Sequence, residues 1–337
     1  MINELLQKVS QKQNLTYDEA KQAVDEIMSG DVSQVVTSAF LTALAVKGET
    51  EDEIAGAADG MRSKAVPFEL GCHALDVVGT GGDKSNSFNI STTAGFVAAA
   101  AGVTIAKHGN RAASSKCGTA DCLEALGVKI DCEPEVMKKS LKENNIVFFF
   151  AQKYHKAMRF VGPVRKEIGI RTVFNILGPL TNPGKADRML LGVFSEEYVE
   201  KIAKALIKLG VHDAMVVYGM DKLDEISACG ETKVAEVRGN DIKYYTIKPE
   251  DFGYKRVSKA DLAGGTPEEN ANITKAILQG GGTEAQRNAV ALNAGACIYV
   301  FNDGITLQEG VKQAEEIMAS GKGYEILKGF VKTTNEE

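Results

Sequence analysis

The chain has 337 residues and a formal net charge of −6, an acidic balance that gives the whole molecule no electrostatic footprint for nucleic acid. Its 44% hydrophobic and 25% charged residues are those of an ordinary globular enzyme, long enough for two domains. The longest apolar run, residues 95–106, is too short for a helix that crosses a bilayer.

Residues 1–8, Met-Ile-Asn-Glu-Leu-Leu-Gln-Lys, lack the basic start, apolar core and cleavage site of a signal peptide. They open a region that reads as helix alone. Thr16 and Glu19 form a capping box, with Ala20, Ala23, Val24 and Ile27 at helical spacing until Ser29-Gly30 stops the run. Val35 to Val46 is apolar enough for a helix buried on several sides, and Thr50 with Glu53 starts another that carries Ile54, Ala57, Ala58 and Met61. This unit, residues 1–68, is too apolar to stand alone, so it is expected to pack on the rest of the chain or on a second subunit.

From Leu75 the rhythm becomes strand, glycine loop, helix. Strands are expected at 75–78, 103–106, 128–130, 147–150, 190–193 and 214–218, and helices at 91–101, 119–126, 135–143 and 198–209. Strands separated by helices imply a mostly parallel sheet covered on both faces. A hairpin is expected at 234–237 and 242–247, turning at Gly239-Asn240, and helices at 284–299 and 307–320. Residues 162–183, with three prolines and several basic residues, interrupt the rhythm and read as short helices that leave the sheet and rejoin the N-terminal unit. The reading is therefore an α/β protein: a large domain of 72–161 and 184–337, and a small all-α N-terminal domain. The six cysteines show no CxxC pairing or zinc spacing and read as thiols in a reducing cytoplasm.

Three features carry chemistry. Gly79-Thr-Gly-Gly-Asp83 follows a strand, and its glycines let backbone N–H groups approach an anion. Ser91 or Asn89 is placed to cap the next helix, whose N-terminus is itself an anion site. The spacing is neither a dinucleotide fingerprint nor a Walker loop. Lys107-His-Gly-Asn-Arg111 ends a second strand with two permanent cations, and two hydroxyls follow at Ser114 and Ser115. Alone, this charge run would be a solvated face; beside the first loop it reads as a phosphate grip. Asp224-Glu225 lies beyond a further strand end, where two carboxylates offer hard oxygen ligands to magnesium on a diphosphate. Nothing in the sequence marks either acid as having a raised pKa, so they are not read as an acid–base pair, and no general acid or base is assigned. Tyr154 to Arg159 and Arg165 to Arg171 mix arginines with apolar groups, which suits an aromatic carboxylate or equally a basic hinge surface.

Gly79–Asp83, Ser87-Phe-Asn-Ile-Ser-Thr92, Lys107–Arg111, Asp224-Glu225 and the stretch from Arg165 to Pro183 together resemble the anthranilate phosphoribosyltransferases, over nearly the whole chain. The resemblance implies a helical domain hinged to an α/β domain, a homodimer through the helical domain, and transfer of phosphoribose from phosphoribosyl pyrophosphate to anthranilate with two Mg²⁺ ions. Carried over by position, Gly79, Gly82, Asp83, Ser87, Asn89, Ile90, Ser91, Thr92, Lys107, His108, Gly109, Asn110, Arg111, Ala112, Ala113, Ser114, Ser115 and Thr119 would contact the phosphoribosyl pyrophosphate. Gly79, Asn110 and Arg165 would contact anthranilate, with His108 and Met158 lining its path. Ser91, Asp224 and Glu225 would hold magnesium. Lys156 and Gly162 depart from residues common in the family, near the anthranilate entrance. A pyrimidine-nucleoside phosphorylase is the alternative of the same fold, and would need no metal diphosphate. A non-catalytic nucleic-acid-binding relative should be basic and lack the two acids.

Overall fold

The structure, a computed structural model, describes residues 1–112 and 115–336. The chain begins with four helices, α1 (Ile2–Ser10), α2 (Tyr17–Ser29), α3 (Gln34–Lys47) and α4 (Glu51–Ser63). Both expected capping boxes form, at Thr16/Glu19 and Thr50/Glu53. Glu53 does more than cap: its buried carboxylate also accepts from Leu15 N at 2.8 Å and pairs with Lys47 at 2.8 Å, so one acid ties three segments. Close approach of α2 and α4 depends on a small residue, since a Cβ at Gly56 would lie 2.1 Å from the Tyr17 carbonyl oxygen.

The α/β part runs β1 (Leu75–Gly79), α5 (Ile90–Ala100), β2 (Ile105–Gly109), α6 (Thr119–Ala125), α7 (Pro134–Asn144), β3 (Ile146–Phe150) and α8 (Ala151–Tyr154). The detour follows as α9 (Gly162–Ile168), α10 (Phe174–Leu177) and a 3-10 turn, Gly178–Thr181. Then come β4 (Arg188–Gly192), α11 (Glu197–Lys208), β5 (Asp213–Gly219), β6 (Thr232–Arg238) and β7 (Asp241–Ile247). Four helices close the chain: α12 (Pro267–Leu278), α13 (Glu284–Phe301), α14 (Leu307–Ser320) and α15 (Lys322–Asn335). The seven strands form one sheet in the order β3-β2-β1-β4-β5-β6-β7, parallel from β3 to β5 and antiparallel through the expected hairpin. One face packs against α5, α12 and α13; the other shares a continuous apolar core with α11, the detour and the four N-terminal helices. Arg62 of α4 reinforces that junction by donating to the carbonyls of Leu180 (2.7 Å) and Leu209 (3.2 Å).

Two local expectations are corrected. Residues 128–130 form no strand: Gly127 turns with φ +96° and Val128 N donates back to Leu123 O, burying Val128 and Ile130 beside α6. An apolar triplet supplies core surface whether or not a sheet edge is free to pair with it. The second strand begins two residues later than expected and runs through Lys107 and His108. Helices α12 and α15 were not anticipated.

Candidate active site

Strand order decides where the site lies. The chain proceeds outward from β1 to β2 and β3 on one side, then returns to lay β4 on the other, so the crevice beyond β1 and β4 is the topological switch point. Both strands end in glycine there, and Gly79 pairs in register with Gly192. The pair leaves space for one residue: a Cβ on Gly79 would lie 2.3 Å from Asp224 Oδ2, and one on Gly192 1.7 Å from the Asp224 carbonyl oxygen. Gly81 N donates to Asp224 Oδ2 at 2.6 Å. Gly81 and Gly82 have φ of +69° and +75°, a region side chains other than glycine avoid. Loop and acid, 143 residues apart, are thus one object.

The acid cluster is larger than the expected pair. Asp83 joins it, with Oδ2 buried and without a hydrogen-bond partner. Burial first, then Asp83 and Glu225, push the Asp224 carboxyl well above the ordinary carboxylate range. Burial also pushes Glu225 up to about 7, with Lys107 pulling down and Asp83 pushing up. Both residues keep a partial opening to solvent. The expectation that neither pKa is raised is therefore corrected; only the fold brings three acids together. Three crowded oxygen donors and one buried, unpartnered carboxylate oxygen fit a hard divalent cation, which would relieve the repulsion. Among the described residues no three acid, His or Cys side chains already surround a common metal position.

Lys107 and His108 are neighbours on β2, and strand alternation sends them to opposite faces. Lys107 points toward the acids: buried, it donates to Val77 O and, at 3.3 Å, to Ser91 Oγ. Burial lowers its pKa, while Asp76 and Glu225 raise it. Asp76 itself is held by His108 N at 3.1 Å and Asn182 Nδ2 at 2.8 Å. Ser91 starts α5 beside Asn89, but neither caps it through a side chain; Asn89 Oδ1 instead accepts from Cys117 Sγ at 3.2 Å. The Ser91 N–H and hydroxyl pull the Glu225 carboxyl down, so the α5 N-terminus already faces an acid, and Thr92 Oγ1 is buried without a partner. Ile90 is core, and its N–H donates to Phe88 O at 2.7 Å. Ser87 Oγ bonds Ser85 Oγ at 3.0 Å, away from Lys107.

The second loop is partly engaged with its own helix. Arg111 pairs with Asp121 at 3.1 Å and with Glu124, Ala112 N donates to Asp121 Oδ2 at 2.8 Å, and Ser115 Oγ donates to Cys117 O at 3.2 Å. Asn110 O accepts from Ala120 N at 3.1 Å, which fixes Gly109 and Asn110 at the start of α6 beside Thr119. Ala113 and Ser114 lie outside the described residues.

On the other face, His108 Nδ1 donates to Gly178 O at 3.2 Å, leaving Nε2 as a bare, buried acceptor. Its ring lies 5.1 Å from His155, a residue the sequence reading did not assign, which is buried with neither ring nitrogen partnered. Burial pushes His108 down to about 3 and His155 to about 4, so both are neutral. Met158 N donates to His155 O at 3.0 Å, placing Met158 one turn on. Arg165 on α9 is half-buried, makes no ion pair among the described residues, and sits 5.8 Å from the Phe174 ring centroid. A desolvated guanidinium without a carboxylate is suited to receive one.

The histidine pair has a stability consequence. Below about pH 6.5 the unfolded chain takes up protons that the folded rings refuse, so the pair's contribution turns unfavourable as pH falls toward the folded values. A His155→Asn variant is expected to lose less stability between about pH 7.5 and 5.5 than the parent, by on the order of 1 kcal/mol. Urea unfolding at both values measures this; equal slopes would refute the buried neutral state.

Residues 3–65 match the helical bundle domain of the glycosyl transferase family, and residues 71–324 match its a/b domain. An anthranilate phosphoribosyltransferase from Lacticaseibacillus casei is 51% identical over 327 residues, 97% of this chain and 96% of that one. The crystal structure of anthranilate phosphoribosyltransferase from Thermus thermophilus superposes with a TM-score of 0.93 at 44% identity, covering 98% of this chain and 99% of that one. The Saccharomyces cerevisiae enzyme in complex with PRPP and Mg gives 0.88 at 30% identity over 98% of both chains. The same enzyme with 4-fluoroanthranilate gives 0.87 at 29% identity, covering 99% of this chain and 98% of that one.

Proposed function

This chain belongs to the anthranilate phosphoribosyltransferases of the glycosyl transferase family, whose reaction in tryptophan biosynthesis it carries out, and we propose how its residues divide that work. The phosphoribosyl group of phosphoribosyl pyrophosphate passes to the amino nitrogen of anthranilate. N-(5-phosphoribosyl)anthranilate and pyrophosphate leave.

The observation that carries this reading over nucleoside phosphorolysis is the acid cluster at the switch point. Asp83, Asp224 and Glu225 crowd together beneath a glycine loop. Free phosphate would be repelled there, whereas a diphosphate that brings Mg²⁺ is drawn in. Ser91, Asp224 and Glu225 would hold the metal, as two ions shared between the carboxylates and the diphosphate. When bound, Mg²⁺ supplies positive charge against the departing pyrophosphate oxygens. The loops 79–92 and 107–115, with Thr119, would hold the phosphoribosyl pyrophosphate. Glycine N–H groups and the α5 N-terminus would meet phosphate, and Lys107 sets its amino group beside the acids.

The aromatic acid would lie on the other face of β2, against Gly79, Asn110, His108 and Met158, with its carboxylate on Arg165. The amine's nitrogen lone pair attacks C1 as the C1–O bond breaks and pyrophosphate departs with that electron pair; the proton that the substituted nitrogen must then lose passes to water or the departing pyrophosphate, so no side chain need remove it first. The buried, neutral imidazoles of His108 and His155 support that view. Catalysis is then placement of two substrates in line, together with stabilisation of the leaving group.

The working form would be a homodimer through the helical domain (1–68, joined by 162–183), supported by Val35 and Val46 standing 79% and 74% exposed on α3. Six free thiols support a cytoplasmic setting. Among the described residues no helix is long and apolar enough to cross a membrane.

Loss of anthranilate fluorescence on mixing with phosphoribosyl pyrophosphate and Mg²⁺ tests the reaction; folded protein that consumes none would sink it. In the same assay Arg165→Ala is expected to raise KM for anthranilate about 10- to 100-fold, the worth of a buried charged hydrogen bond. An unchanged KM would remove Arg165 from the anthranilate site.

A further inference from the structure

In the sequence, Arg165 and Arg171 look alike, cations for one aromatic carboxylate or one basic surface. Their surroundings differ. Arg165 faces the Phe174 ring and makes no ion pair among the described residues. Arg171 lies 3.9 Å over the Phe194 ring centroid and donates through Nη2 to the Gly82 carbonyl oxygen at 2.5 Å.

We infer that Arg171 is a positioning residue for the Gly79–Asp83 loop and serves the phosphoribosyl pyrophosphate half of the site; this rests on the proposed assignment of that loop. Gly81 and Gly82 give the loop two consecutive residues of high conformational freedom, so its bound shape depends on holds from outside. Successive residues are gripped from opposite partners: Asp224 takes the Gly81 N–H, and Arg171 takes the Gly82 carbonyl. The platform beneath Arg171 is itself tied to the loop, because Phe194 N donates to Thr80 Oγ1 at 3.0 Å. Phe194 also meets the Tyr198 ring edge-on at 5.3 Å, and Tyr198 OH donates to the buried Glu49 at 3.4 Å, between α3 and α4. The loop is therefore braced by the detour and, through Tyr198, by the helical unit.

Steady-state kinetics with each substrate varied tests this. Arg171→Ala is expected to raise KM for phosphoribosyl pyrophosphate about tenfold, the worth of one charged hydrogen bond on a partly exposed loop, with kcat and KM for anthranilate within about threefold. Arg171→Lys should fall between, since its ammonium still reaches a carbonyl but stacks less well on Phe194. Phe194→Leu should raise the same KM less than Arg171→Ala does. A rise in KM for anthranilate instead, a fall in kcat alone, or Lys no better than Ala would overturn the inference. Should Arg171→Ala not fold, the Lys and Leu variants decide it. Parent protein that consumes no anthranilate would refute the underlying function, a result distinct from any pattern among the variants.

Discussion

The double variant Asp224→Asn/Glu225→Gln is expected to turn over anthranilate at least about 100-fold more slowly than the parent and to lose its response to Mg²⁺, the scale of removing leading electrostatic stabilisation. Both substitutions keep shape and hydrogen-bonding reach while removing charge, so a structural collapse is not the expected cause. Removing two buried, crowded carboxylates should in fact relieve both the desolvation and the repulsion that raise their pKa values. Thermal stability of the ligand-free protein is therefore expected to hold or rise while activity falls. That opposition separates a metal site from a structural one. Magnesium titration of initial rates provides the measurement, and an unaltered dependence in the variant would remove the acids from metal binding.

The second large effect falls on a residue with no chemistry of its own. Gly192→Ala places a methyl where the Asp224 carbonyl oxygen lies 1.7 Å away, against backbone that cannot rotate aside. Overpacking of this kind costs about 1–3 kcal/mol, or roughly 1–4 °C in melting temperature for a chain of this size. Activity should drop further than stability explains. Gly192 pairs with Gly79, and a displacement of about 1 Å at Asp224 moves the proposed metal ligand and the Gly81 hydrogen bond together, about 100-fold in rate. Melting curves and kcat/KM on the same preparation check both. A variant with parental activity would show that the crevice tolerates a wider floor.

Helix ends were legible in the sequence because a capping box is local: Thr16 with Glu19 and Thr50 with Glu53 act within one turn. Glycine loops following apolar runs were legible for the same reason, and they lie at the strand ends that border the crevice. Residues 128–130 failed because local apolarity cannot say whether a sheet edge is available. The third acid was missed because Asp83 is 141 positions from Asp224, and charge crowding has no sequence signature. Arg165 and Arg171 looked alike because composition does not reveal which partner each guanidinium meets.

By itself, then, the sequence determined what depends on neighbours in the chain: the alternation of elements, the caps, the flexible glycines and the stock of cations and carboxylates. Only the tertiary structure decided what those groups do to one another. Strand order put β1 beside β4, register set Gly79 against Gly192, and the space between them admitted Asp224. Alternation on β2 then turned Lys107 toward the acids and His108 toward the detour. The physical reason is range. Capping and turn geometry act over a few residues, whereas desolvation, charge repulsion and steric exclusion act between whatever the fold brings within a few ångströms.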